Sequence, residues 1–156
     1  MTRSADSLPG TGAPGFVEDY LAYLLARASH RVSAEFHAEV AACGLSVPEW
    51  RVLASLAGGQ ERHVGELCDI VLAQQPTLTK LLGRMEAQGL VQRRTGIQDR
   101  RKTKVSLTPQ GQKLVTPLLE RARAHEARVL AEIGPLQGSE LKLLLRRLID
   151  PDDHRG

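Results

Sequence analysis

Cysteine is scarce in this 156-residue sequence: Cys43 and Cys68 are the only two, and both fall within helical patterns. They read as small packing residues, not as a redox switch. No apolar run is long enough to span a bilayer and no secretory hydrophobic segment is visible, so a cytoplasmic protein without a membrane partner is expected. A nucleophile elbow, a phosphate-cradling glycine loop and a metal-ligand spacing are also missing, which leaves no enzyme, cofactor or metal reading. His30 and His37 lie two helical turns apart, too far to share one metal, and neither has a Cys or carboxylate motif beside it. No internal repeat is present. Acid is nearly missing from one stretch: Lys80 to Lys104 holds eight Lys or Arg against only Glu86 and Asp99, a local charge of +6 in a chain of +3 overall. The remainder of the chain is therefore −3. Charge confined in this way points to a localised surface for a polyanion.

At 42% hydrophobic residues the chain is large enough to bury a core without staples. Residues 1–15, MTRSADSLPGTGAPG, are small, polar and rich in Gly and Pro, and read as a flexible arm that cannot repay the entropy of ordering. Residues 151–156 read as a second flexible tail. The stretch 16–150 between them reads as a single domain, mainly α with one small β-hairpin.

Apolar residues at Phe16, Tyr20, Leu21, Leu24, Leu25, Ala28, Val32, Phe36 and Val40 follow helical spacing and predict one amphipathic helix from about Phe16 to Cys43, ended by Gly44. The next helix has a full start signal: Ser46 caps it, Glu49 bonds back, and Leu45 packs against Trp50 as a hydrophobic staple. It runs to the break at Gly58 and Gly59. Val64, Leu67, Ile70 and Val71 form a short third helix, preceded by His63, a poor cap. A tight link at Gln74 and Gln75 leads to Pro76 in the first turn of a fourth helix that ends at Gly89. Its inward face is Leu78, Leu81, Leu82 and Met85. The opposite stripe, Gln75, Thr77, Thr79, Lys80, Gly83 and Arg84, is polar and cationic. Then comes the basic ribbon QRRTGIQDRRKTKVSLTPQG, Gln92 to Gly111, with turn formers Thr95, Gly96 and Asp99 between two short strand patterns. Thr108 and Pro109 open a long helix that Gly134 and Pro135 stop, and a final helix is expected from Ser139.

Two short helices joined by a tight turn, followed by a basic hairpin, form the pattern of a winged helix-turn-helix. The runs LSVPEWRVLASLA (Leu45 to Ala57), VGELCDIVLAQQPTLTKLLGRMEAQGLVQRR (Val64 to Arg94) and DRRKTKVSLTPQG (Asp99 to Gly111), in that order, resemble the MarR family of bacterial transcriptional regulators. The resemblance spans roughly Tyr20 to Ile149, and its Asp-x-Arg element falls on Asp99 and Arg101.

A helix fits the major groove, so the exposed stripe offers Gln75, Thr77, Thr79, Lys80 and Arg84 to base edges and phosphates. Gln75 and Thr77 lie in the first turn, where the helix N-terminus favours phosphate. The resemblance makes Arg101 the residue that enters the minor groove and Asp99 the one that orients it, with Arg100 able to exchange roles with Arg101. Arg93, Arg94, Lys102 and Lys104 are expected on phosphates.

The resemblance further implies a homodimer on double-stranded DNA, with N- and C-terminal dimerisation helices (16–43 and 109–149) flanking a DNA-binding region (46–107). It also implies a small anionic aromatic effector. Arg27, His30 and Arg31 on the first helix and Trp50 and Arg51 on the second are the candidate ligand residues, because Arg bonds a carboxylate in two places and an indole can face a ring. The expected activity is that of a repressor released from a pseudo-palindromic operator. The alternative is an architectural DNA-coating protein without a ligand switch.

Overall fold

The computed structural model describes residues 15–97 and 102–150. The expected arm and tail, and with them Asp99, Arg100 and Arg101, lie outside the described residues, apart from Gly15. The chain divides into two compact units, one up to Glu35 and one from Phe36 onward.

The first unit holds α1 (Phe16–Asp19) and most of α2 (Leu21–Ala42). Sequence periodicity had joined them into one helix, but Tyr20 adopts an extended backbone (ψ 124°) and interrupts it. The Tyr20 carbonyl accepts the first bond of α2 from Leu24 N–H at 3.0 Å. The Phe16 and Tyr20 rings stack at 5.4 Å across the break. One extended residue leaves the apolar spacing almost unchanged, so periodicity is blind to it. Phe16, Tyr20, Leu21 and Leu24 are all exposed.

In the second unit, α3 (Val47–Leu56) begins with the expected capping box: Glu49 N–H bonds Ser46 Oγ, and Ser46 N–H bonds the Glu49 carboxylate at 2.7 Å. Strand β1 (Arg62–His63) leads directly into α4 (Val64–Val71), where Glu66 accepts the His63 N–H at 2.7 Å. Helix α5 (Gln75–Ala87) follows, then β2 (Val91–Arg94) and β3 (Lys104–Leu107). The strands form an antiparallel sheet of order β1-β3-β2, with Val91 opposite Leu107, Arg94 opposite Lys104 and Arg62 opposite Val105. The sequence predicts two strands only. A two-residue strand has no alternation to detect, and β1 exists because β3 offers it an edge.

Helix α6 (Pro109–Ile133) is capped by Thr108, whose Oγ1 accepts the Gly111 N–H at 3.0 Å, and it continues through Pro117. Helix α7 runs Pro135–Ile149, four residues earlier than the expected start at Ser139. Pro135 takes the first-turn position after Gly134, and the Ser139 hydroxyl bonds back to the Pro135 carbonyl inside the helix instead of capping it.

The core is one cluster in which Leu53 and Leu56 of α3, Leu67 of α4, Leu78, Leu82 and Met85 of α5, Val91 and Val105 of the sheet, and Val115 and Leu118 of α6 are all but fully buried. Each such side chain contributes about 1.5–3 kcal/mol relative to exposure, so this cluster sets the angle at which α5 and the β2–β3 ribbon project.

Candidate nucleic-acid interface

The link between α4 and α5 is short because Leu72 takes the left-handed conformation (φ 59°, ψ 44°), which lets Ala73 N–H return to the Cys68 carbonyl at 3.1 Å. Among the described residues Leu72 is the one non-glycine at positive φ. Holding a leucine there costs about 1–2 kcal/mol. The turn orients α5 so that Leu78, Leu81, Leu82 and Met85 face the core while Gln75, Thr77, Thr79, Lys80 and Arg84 are exposed. The Thr79 hydroxyl donates to the Gln75 carbonyl at 2.8 Å, so its proton is committed within the helix. Thr77, Lys80, Gly83, Arg84 and Ala87 line an open depression along this face. A Cβ at Gly83 would meet no atom within 4 Å, so internal packing does not require glycine there.

Glu86, the acid that follows the stripe, is neutralised. Arg93 of β2 grips its Oε2 through Nε (3.0 Å) and a terminal guanidinium nitrogen (2.7 Å), and the Arg93 backbone N–H bonds Oε1 at 3.1 Å. These bonds from Arg93 hold the Glu86 carboxyl below its ordinary pKa, against the opposing effect of burial. Arg93 was expected on phosphate; in the structure its guanidinium ties α5 to β2 through Glu86. The signal was available in the sequence as the only acid of the stretch before Asp99, seven residues upstream of an arginine.

The remaining described cations of the ribbon stay outward. Arg94, Lys102 and Lys104 are exposed, and Arg94 sits directly across the sheet from Lys104. Like charges in that register repel. One partial offset is the 3.6 Å contact of Lys104 with Glu61, between half-exposed side chains. An anion beside the ribbon would relieve the rest.

The candidate ligand residues are distributed between the two units. In the first, Arg27, His30 and Arg31 are exposed on α2, and Arg27 donates to the Tyr23 hydroxyl at 3.0 Å. In the second, Trp50 meets the Phe36 ring edge-on at 5.0 Å, and Arg51 donates to the Val71 carbonyl at 3.2 Å. Two histidines outside the candidate set share neighbours with this pair. His125 is buried with its ring 5.8 Å from Phe36, and His37 has its pKa lowered by burial and by the Arg51 charge. Neither has a motif around it, because α2, α3 and α6 bring these residues together from far apart in the chain. Cys68 packs against the core as expected, whereas Cys43 lies in the turn after α2 and is exposed. No group of three or more metal-ligating side chains occurs among the described residues, and none of their helices is long and apolar enough to cross a membrane.

The profile of the MarR family matches residues 44–102, which contain α3, the helix-turn-helix and the first half of the ribbon. The homoprotocatechuate degradative operon repressor of Escherichia coli is 33% identical over 120 residues, covering 74% of this chain and 81% of the relative. The crystal structure of a MarR family transcriptional regulator from Silicibacter pomeroyi DSS-3 superposes with a TM-score of 0.79 at 40% identity, covering 88% of this chain and 98% of that one. Bordetella bronchiseptica BpsR, whose DNA binding is regulated by 6-hydroxynicotinic acid, superposes with a TM-score of 0.75 at 25% identity over 88% of this chain and 99% of its own. With the turn-joined helix pair, the antiparallel ribbon and these likenesses together, the chain belongs to the MarR family of transcriptional regulators.

Proposed function

We infer that this chain is a homodimeric cytoplasmic repressor that binds a pseudo-palindromic operator and leaves it when a small aromatic carboxylate binds. The observation that carries the DNA reading is the exposed face of α5, Gln75, Thr77, Thr79, Lys80 and Arg84, whose one following acid is already bonded to Arg93. A helix presenting such a face enters the major groove. The ribbon adds Arg94, Lys102 and Lys104 for phosphates, and Arg101, oriented by Asp99 and able to exchange roles with Arg100, for the adjacent minor groove. Support for the dimer comes from exposed leucines on α7, Leu141, Leu144 and Leu148. A two-fold dimer sets its half-sites about one helical turn (~34 Å) or a multiple apart. Support for the effector class comes from a relative named as the repressor of a homoprotocatechuate degradative operon and from another whose DNA binding is regulated by 6-hydroxynicotinic acid. Trp50 and Arg51 on α3 and Arg27, His30 and Arg31 on α2 are the residues offered for it.

Fluorescence-anisotropy titration with DNA from upstream of the coding sequence and with a scrambled duplex, at one fixed salt concentration, tests this. Tight binding to the upstream duplex alone, reversed by one member of an aromatic carboxylate panel, is the expected result. Equal binding to both duplexes would replace the repressor with an architectural DNA-coating protein.

A further inference from the structure

A second cleft, lined by none of the residues of the exposed α5 stripe, has an apolar floor and a cationic rim. It occupies about 390 Å³ between the first half of α6, the turn after α2 and the start of β2. Leu90 and Leu118 form its buried floor, Leu114 and Pro117 its apolar wall, and Lys113 and Arg121 its rim. Both cations are exposed, neither meets a carboxylate among the described residues, and no acidic residue lines the cleft. Eight positions separate them, roughly 12 Å of helix axis, with the apolar wall in between. That length exceeds one aromatic ring and suits an extended chain.

The floor is also the joint of the wing. The Leu90 carbonyl accepts Thr108 N–H at 3.1 Å and lies against Gly111, while the Thr108 hydroxyl bonds the Gly89 carbonyl. Helix α5, strand β2 and helix α6 therefore meet at Leu90, and an occupant touching it lies at the root of the ribbon.

The geometry points to this cleft as an effector site for an elongated apolar monocarboxylate, its chain on Leu114 and Pro117 and its carboxylate on Lys113 or Arg121, acting on DNA affinity through Leu90. The action on DNA rests on the operator-binding reading above; the site itself does not.

The exposed Cys43 thiol lines the cleft and reports occupancy. The full-length protein is alkylated with iodoacetamide in the presence of decanoate or its uncharged methyl ester, with Cys43 and Cys68 followed separately by peptide mass spectrometry. Decanoate is expected to slow alkylation of Cys43 by about fivefold or more at saturating concentration while leaving Cys68 unchanged. The ester gives little protection, and Lys113→Gln with Arg121→Gln abolishes it without moving the unfolding midpoint. Equal protection by the ester, protection that survives in the double variant, or no protection at all would overturn the site. Operator affinity of the wild type, but not of the double variant, is expected to change by about fivefold or more with decanoate. Cys43 protection with unchanged affinity would overturn the coupling. A protein that binds no operator would sink the repressor reading and the coupling with it, while the alkylation result still decides the site.

Discussion

Glu86 and Gly111 are two residues whose importance comes from what they touch. Glu86 receives three bonds from Arg93, and both side chains are about one-third exposed, so replacing Glu86 by Gln is expected to cost about 1 kcal/mol or less at neutral pH once solvent screening is allowed for. Its folded pKa is lowered, so this stability is present above the ordinary carboxylate value of about 4.3 and is lost as pH falls through the lower folded value. Thermal unfolding of wild type and Glu86→Gln should therefore differ near neutrality and converge in acid; a gap that persisted in acid would place the effect elsewhere. Gly111 lies where a Cβ would overlap the backbone oxygen of Leu90, which cannot swing aside. Gly111→Ala is expected to lose about 1–3 kcal/mol despite the better helix propensity of alanine. Gly83→Ala, in open space on α5, should instead gain up to about 1 kcal/mol, as read by urea denaturation. Both glycines fall within helices, but only the fold shows that Gly111 abuts Leu90, 21 positions back in the chain, while Gly83 faces open space.

At the scale of elements, α5 and the ribbon act as one unit because Arg93 bridges them. Lys80→Gln should lower the magnitude of the operator-binding salt slope by about 1, the signature of a lost phosphate contact, or relax one base position. Arg93→Gln should weaken binding with little change in slope, because its charge is already paired with Glu86. Equal slope losses in both variants would return Arg93 to the phosphate set. Helix starts with side-chain caps were legible: Ser46 with Glu49, and Thr108 with Pro109, act over three residues and leave their pattern in the sequence. The break at Tyr20, the strand Arg62–His63 and the early start of α7 at Pro135 were not legible. The first keeps the apolar spacing, the second depends on partners more than forty residues on, and the third places Pro135 where a helix stop and a helix start look alike.

At the scale of the whole molecule, exposed leucines on α7 set up a prediction about assembly. Leu141, Leu144 and Leu148 are 40–58% exposed and recur at three- and four-residue spacing. Leu144→Glu should shift sedimentation from dimer to monomer and weaken binding to a two-half-site operator more than to an isolated half-site. A variant that still sediments as a dimer would take α7 out of the interface.

Local order and chemistry class were determined by the sequence alone: where helices are capped, which face of α5 is apolar, and where cations concentrate. These follow from patterns within one or two turns of chain. The tertiary structure decided what those cations face within the chain, since Arg93 is drawn to Glu86 while Arg94 faces Lys104 across the strands. It also brought Cys43, Leu90 and Lys113 around one cleft. Pairings between distant segments depend on how the packed core orients each element, and no short-range pattern in the chain records that.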